Sequence, residues 1–471
     1  MRKCSPWAFV FAPAFLFASN FDSYFLDQTM RLDFYRTGTH HEEIFSTDEI
    51  VVEPVWAGSK INLIDTLNLG YHLFKVCDAA TGKLLYSQGF SSIFQEWQST
   101  DEAIAGNRRS FHESIRFPMP RQPVEIFFFD RDSMNHFTKI WSLQIDPKFA
   151  NIRRNRFYGD AKVIDLMNNG QVNEKVDLLI LGDGYTKKEM KKFRKDAERL
   201  TDVLFSMSPF KERKSDFNVR ILAMPSNDSG IDDPRKGIYK DNVLSSSFNS
   251  FMSDRYVLTY DNKTVRKIAS AAPYDHLYIL VNSSKYGGGG IYNLYSTCVS
   301  DNVWSAYIFC HEFGHSFGGL GDEYYTSNTA YTDFFKPGVE PWEPNVTAML
   351  DSGCVKWQDQ IEPGIPIPTP WGKAEMDSES TVYTNYRVEW INAGVPNEKL
   401  DSLSVAHEKW VIPYLKNQLY ADKVGVFEGS GYMSEGLYRP AVNCIMFSRN
   451  MAGFDPVCRR AIERVIDHYV K

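Results

Sequence analysis

The pattern of apolar and polar positions changes character partway along the chain. From residue 21 to about 150, short segments alternate between the two classes and are broken by Gly, Pro, Asn and Asp turns: MRLDFYR, EIVVEPVW, HLFKVCD, KLLYSQGF, ESIRFPM, PVEIFFFD and KIWSLQI. A period of two turns one set of side chains toward a core and the other toward water, so these segments predict short strands of an antiparallel sandwich or small barrel. Residues 151–172, with RRNRFYGD and the polar turn NNGQVNE, read as a connector. The texture then shifts to a continuous apolar run, KVDLLILGDGYT at 175–186, followed by a polar helix from Lys187 to Ser206 and a strand, FNVRILAMP, at 217–225. A continuous run belongs to a central strand, and strand–helix–strand order marks an α/β-type sheet and a new domain.

The same reading places a helix between Asp254 and Ala272, a strand at DHLYILVN (275–282) and, after it, four consecutive glycines at 287–290. Such a run predicts a flexible or tightly approached loop at a cleft edge, able to offer backbone donors and acceptors to an extended peptide. A helix over Asp301–Phe317 follows, then a proline-rich stretch to about Gly372 in which WEPNVTAML borders the cleft. SVAHEKWVIPYLKN, with His407, predicts an outer helix, and DPVCRRAIERVIDHYV a terminal one. The expected organisation is a leader at 1–19, a β-sandwich-like unit at 20–150, the connector at 151–172 and an α/β (α+β) unit at 173–471. A length of 471 residues, too great for one ordinary core, accords with two domains.

Composition narrows the classes of function. A formal charge of −7 with no long Lys/Arg run argues against a nucleic-acid surface. The start, MRKCSPWAFVFAPAFLFASN, sets Arg2 and Lys3 before an apolar run from Trp7 to Phe17, the order of a secretory signal, and predicts export to the periplasm, cell surface or medium. That run is shorter than the roughly 20 residues that span a bilayer, so no integral membrane anchor is expected. Apart from Cys4, the cysteines are Cys77, Cys298, Cys310, Cys354, Cys444 and Cys458. Cys444 with Cys458 is the most local pairing and the expected disulfide, whereas Cys310 reads as a small buried helix residue.

The chemistry centres on CHEFGHSFGGLGDEYY, residues 310–325. His311 and His315 are four apart and share one helical face, so both imidazoles can aim at one point, with Glu312 close enough to hold a water there. Two imidazoles suit Zn²⁺, and a catalytic zinc takes a third protein ligand while keeping one position open. Three glycines in SFGGLG end the helix near Gly318 or Gly319 and turn the chain back, bringing Asp322 or Glu323 toward the histidines. The shorter Asp322 carboxylate is the preferred third ligand; Glu323 then faces away to anchor a histidine or the turn. By contrast, Asp183 and Asp232–Asp233 lack a complete calcium-loop pattern, and His276 and His407 read as local structural residues. A second stretch, GYMSEGLYRPAVNCIMFSRN at 431–450, holds the polar handles Tyr432, Tyr438 and Arg439 ahead of the apolar CIMF.

HEFGHSFGGLGDEY at 311–324 and GLYRPAVNCIM at 436–446, supported by LLILGDGYT and YILVN, resemble the IgA-peptidase family of bacterial zinc metallopeptidases, within the wider metzincin-like group. The resemblance covers roughly residues 172–471, and a β-rich N-terminal companion fits family members. It implies a metzincin-like fold and a zinc-dependent endopeptidase, with His311 and His315 as ligands, Glu312 as general base and Met446 in a methionine turn beneath the site. The usual third-histidine spacing falls on Gly321 here, and the first polar residue is Asp322.

The reaction expected is hydrolysis of an internal peptide bond in a protein or peptide substrate, with Tyr438 or Tyr432 as a second donor to the oxyanion. Two other classes compete. One is a secreted protein- or glycan-binding protein on a weakly active scaffold; the other is a zinc hydrolase of non-protein amides. A general base at Glu312 speaks against the first, and an elongated cleft beside a sheet edge against the second.

Overall fold

The computed structural model describes residues 21–154, 161–325, 334–351 and 355–470. The expected leader and Cys354 lie outside the described residues. A helical turn, α1 (Phe21–Tyr24), precedes strands β1 (Phe25–Gly38), β2 (Glu43–Glu53), β3 (His72–Asp78) and β4 (Leu84–Phe90). Helices α2 (Ile93–Gln98) and α3 (Asp101–Ile104) then lead to β5 (Arg109–Pro120), β6 (Val124–Arg131) and β7 (Phe137–Ile145). Each of the seven alternating segments thus contributes to a strand.

These strands pair antiparallel in two sheets, ordered β2-β1-β5 and β4-β3-β6-β7. Their inward side chains share one apolar cluster, in which the rings of Phe34 and Phe128 lie 5.3 Å apart across the sheets. The two sheets bury apolar positions against each other as the period-two pattern requires.

The rest of the chain is built on a six-stranded mixed sheet. It comprises β8 (Lys162–Met167), β9 (Val176–Asp183), β10 (Phe217–Ala223), β11 (His276–Val281), β12 (Gly288–Ile291) and β13 (Tyr295–Val299), in the order β12-β13-β11-β9-β10-β8. The four inner strands run parallel, and the edge strands β8 and β12 run antiparallel to their neighbours. Every residue of β9 is buried, which accounts for the apolar run Leu178–Leu181 at its centre. Helices α4 (Met190–Leu204), α5 (Asn262–Ala269) and α6 (Ser305–Gly318) accompany the sheet, and Tyr278 of β11 stacks on Phe309 of α6 at 4.1 Å. Helices α7 (Lys373–Asn392) and α8 (Asn397–Lys416), the hairpin β14 (Phe427–Ser430) and β15 (Met433–Arg439), and helix α9 (Pro456–Tyr469) complete the order.

Two expectations change here. The stretch read as a connector supplies β8, an edge strand with no fully buried residue, so its sequence lacks the apolar run of a central strand. The glycine run is tightly approached, as one of its two readings had it, but as a strand and not a loop: Gly288–Gly290 belong to β12, packed beneath α6. The two parts of the chain also share a core, since Phe94, Trp97 and Phe111 lie in the same buried cluster as β9 and α6.

Candidate metal centre

Helix α6 lies unusually close to β12 because glycine leaves room for its backbone. A Cβ on Gly290 would stand 2.3 Å from the Glu312 carbonyl oxygen, and one on Gly288 would stand 2.5 Å from the Ile308 side chain. On its other side, α6 meets the fully buried Met446: a Cβ on Gly314 would lie 2.9 Å from the Met446 sulfur. The helix carrying HEFGH is therefore held between a glycine strand and the methionine segment, with His311 and His315 one turn apart.

The helix ends as its glycines require. Gly319 adopts a left-handed backbone, φ 63°, and closes the last turn through its N–H. The following turn is clamped by Asn345, which is fully buried: its Oδ1 accepts from Gly321 N–H at 2.8 Å, and its Nδ2 donates to the Gly321 carbonyl at 2.9 Å. Asp322 is carried back over the helix, and its Oδ1 lies 3.1 Å from Nε2 of both His311 and His315. The two Nε2 atoms are themselves 3.1 Å apart. Each histidine directs its Nδ1 to a backbone carbonyl, His311 to Ile445 at 3.0 Å and His315 to Leu320 at 2.6 Å. A carbonyl only accepts, so both Nδ1 atoms carry hydrogen, and in the neutral rings two Nε2 lone pairs converge on a carboxylate oxygen. Three converging lone pairs call for a cation between them.

The electrostatics favour positive charge at the same point, and without an ion a proton on His315 supplies it. Burial opposes charge on His315, but the neighbouring Asp322 carboxylate outweighs it and pushes the imidazole up to about 9. Burial likewise opposes charge on Asp322, yet His315 and His311 hold it well below the usual carboxylate range. Glu312 is raised, chiefly by burial, and one of its carboxylate oxygens lies within 4.8 Å of a ring nitrogen of each histidine.

The hairpin tip completes this side. Gly431 and Tyr432 form a two-residue loop with φ 55° and 65°, a left-handed pair that matches strand twist but is uncommon for tyrosine. The tip pairs with the turn that carries Asp322, Gly431 N–H donating to the Asp322 carbonyl at 2.9 Å and Tyr432 N–H to the Tyr324 carbonyl at 3.0 Å. The Tyr432 hydroxyl donates to Asp322 Oδ2. Tyr432 therefore reaches the centre. Tyr438 does not: it packs against the separate cluster of Val355, Trp357, Val426 and Val457 and is absent from the cavity wall. Tyr438 lies six residues further along the chain, on β15, and at about 3.3 Å per residue the strand carries it well past the site.

Glu323 turns away from the histidines, as expected of the companion acid. It is fully buried, donates its N–H to the Met446 carbonyl at 2.9 Å and accepts from Asn345 at 2.9 Å. Cys444 and Cys458 are both buried free thiols with sulfurs 3.9 Å apart, so the expected disulfide is not formed; the Cys458 thiol points to Glu323 Oε1 at 3.3 Å. His276 packs between Phe317 and Tyr469, and His407 stacks on Tyr383 at 4.1 Å. Asp183 accepts backbone N–H groups from Leu244 and Ser246 and an amide N–H from Asn242, so it pins a loop.

A cavity opens over His311, Glu312, His315 and Asp322. Gly288–Ile291 bound it on one side, while Tyr324, Arg255, Trp342 and Tyr432 form other parts of its wall. Glu96 of α2 also lines it, so the N-terminal region contributes to the site. The sequence reading missed Arg255, Tyr324 and Glu96. Tyr324 follows the paired acids directly and was findable; nothing local marks the other two.

The centre thus has the residues of a hydrolytic site set in a mixed α/β scaffold. Residues 164–466 match the family model described as IgA Peptidase M64, and residues 20–142 match that described as Peptidase M64 N-terminus. The chain belongs to the IgA peptidase M64 family and is a peptidase. A search of curated proteins found no match.

Proposed function

We propose that this peptidase is a zinc-dependent endopeptidase with a metzincin-like catalytic unit. The observation that carries the reading is the convergence of His311 Nε2, His315 Nε2 and Asp322 Oδ1 at 3.1 Å beneath an open cavity. Two imidazoles and a carboxylate form a donor set that suits zinc and leaves a coordination position for water. The hydrogen bonds from both Nδ1 atoms and from Tyr432 fix the orientation of all three donors.

Zinc, when bound, supplies Lewis acidity that lowers the pKa of water from 15.7 toward about 7. Glu312 takes the proton of the attacking water and returns it to the leaving amine; burial, which raises its carboxyl, favours that second role. Tyr432, whose hydroxyl donates to Asp322 Oδ2, lies in the cavity wall where a second donor to the oxyanion is needed, and takes that role in place of Tyr438. The antiparallel edge strand β12 borders the cavity; its Gly288 end is bonded to the 255–257 segment, where Gly288 N–H donates to the Arg255 carbonyl and the Gly288 carbonyl accepts from Val257 N–H, each at 3.2 Å, so an extended peptide would add beside Gly289–Ile291. That edge supports internal cleavage of a chain over hydrolysis of a small amide.

The test is digestion of a diverse peptide library at neutral pH, with products read by mass spectrometry. Internal cuts are expected, abolished by a zinc chelator and restored by added zinc. Cleavage that persists in the metal-free protein, or zinc-loaded protein that never cleaves, would count against the proposal.

A further inference from the structure

A second group of side chains with metal-ligating chemistry lies beside the turn after α6. Glu323, Cys444, Asp455 and Cys458 each bring one ligand atom into a set lying within 4.8 Å of one another, and all four residues are buried. They come from three segments: the turn after α6, the methionine segment and the start of α9. None takes part in the peptidase chemistry described above.

The distances match one ion and not a covalent bridge. Two sulfurs bound to one zinc at about 2.3 Å, at the tetrahedral angle, stand about 3.8 Å apart. The Cys444 and Cys458 sulfurs are 3.9 Å apart, against about 2.05 Å in a disulfide. In the same tetrahedron a sulfur and a carboxylate oxygen stand about 3.5 Å apart, and Cys458 Sγ lies 3.3 Å from Glu323 Oε1.

Independent of these spacings, both carboxylates are incompletely satisfied. Glu323 Oε2 and Asp455 Oδ2 are buried with no hydrogen-bond partner among the described residues, although Glu323 is fully buried and Asp455 is 6% exposed. A buried carboxylate oxygen left alone is costly, and a cation removes that cost. Several neighbouring groups favour anionic ligands, against the burial that holds Glu323, Cys444 and Cys458 toward their protonated forms. Backbone N–H groups of Met446 and Asp455 both point to Cys444 Sγ at 3.5 Å. Asp455 Oδ1 accepts N–H groups of Val457 and Cys458 at the start of α9, at 2.7 and 3.0 Å. The buried Arg439 guanidinium acts on Glu323 and Cys444 and offsets part of the ligand charge.

We propose that Glu323, Cys444, Asp455 and Cys458 form a second, structural zinc site. All four positions are filled by protein, so no open position remains for a substrate, as in closed structural centres. Loading displaces the two thiol protons to solvent and leaves both sulfurs as thiolates. The ion would tie together the residue after Asp322, the segment two residues before Met446 and the first turn of α9, and so fix the turn that presents the Asp322 carboxylate to the histidines.

The experiment measures zinc per chain in full-length protein purified from zinc-supplemented culture. Two zinc ions per chain are expected in the parent and one in the His311→Ala/His315→Ala variant. Zinc-edge X-ray absorption of that variant should show two sulfur neighbours at about 2.3 Å. Cys444→Ser/Cys458→Ser should lose one zinc; if that protein fails to fold, the spectrum of the histidine variant still decides. A histidine variant with no zinc, residual zinc with only nitrogen and oxygen neighbours, or a Cys444–Cys458 disulfide in non-reduced peptide maps would each overturn the proposal. These readouts require no peptidase activity, so they stand or fall apart from the proposed catalytic mechanism.

Discussion

Gly290→Ala is a one-carbon probe of the contact that seats the catalytic helix. The added Cβ would stand 2.3 Å from the Glu312 carbonyl oxygen and 3.0 Å from the His315 Cβ. The nearer atom is backbone and cannot rotate away, so β12 and α6 must separate by about 1 Å to reach ordinary contact. Overpacking of this kind costs about 1–3 kcal/mol, which corresponds to a thermal midpoint lower by roughly 2–6 °C. The catalytic loss should be larger than the stability loss, because displacement of about 1 Å at reacting groups can cost about a hundredfold in rate. Gly170→Ala is the control: Gly170 is exposed, and the Cβ would meet only the flexible Lys175 side chain. Differential scanning calorimetry and kcat/KM on one peptide substrate provide the two readings. Parental melting and parental kcat/KM in Gly290→Ala would refute the claim that glycine is required for the approach of strand to helix.

The paired acids should separate cleanly. Asp322→Ala should weaken zinc binding at the histidine pair by more than about a hundredfold, beyond the roughly 10–100-fold that loss of a supporting partner costs, whereas Glu323→Ala should retain imidazole-bound metal; competition with a chromophoric chelator measures both, and the reverse order would reassign the ligand. Tyr432→Phe removes the hydroxyl bonded to Asp322 Oδ2, and the same titration should show affinity lower by about tenfold or more. Tyr438→Phe, altered at a residue packed outside the cavity, should leave kcat/KM at the parental level. Equal losses in the two tyrosine variants would contradict this division of roles.

What was legible in the sequence followed from strong local periodicity or from ligand spacing. The strands of the first two sheets alternate because each has one covered face, and the centre of β9, Leu178–Leu181, is continuously apolar because both its faces are covered. His311 and His315 needed only the helical repeat, and the glycines after them announced the turn that carries Asp322. β8 and β12 were less visible, since an exposed edge strand needs little apolar sequence and a glycine strand has no side-chain pattern. Helix α7 was also missed: Val382, Tyr386, Val388 and Ile391 are exposed, so it has no continuous apolar stripe for a sequence to display. Asn345 and Arg255 reach the site through tertiary folding from distant segments. Tyr438 was chosen for its nearness to Met446 along the chain, but strand geometry sends Tyr432 to Asp322 instead. Cys444 and Cys458 are close, as their spacing implied, yet proximity alone does not distinguish a disulfide from a shared ligand.

Glu312→Gln tests the central claim most directly. Glutamine keeps the shape of glutamate but cannot accept the water proton effectively, so peptide hydrolysis should fall by roughly a hundredfold or more. Zinc content and circular dichroism should match the parent, which separates the chemical step from metal binding and folding. A zinc-loaded, folded Glu312→Gln protein that cleaves as fast as the parent would contradict the account.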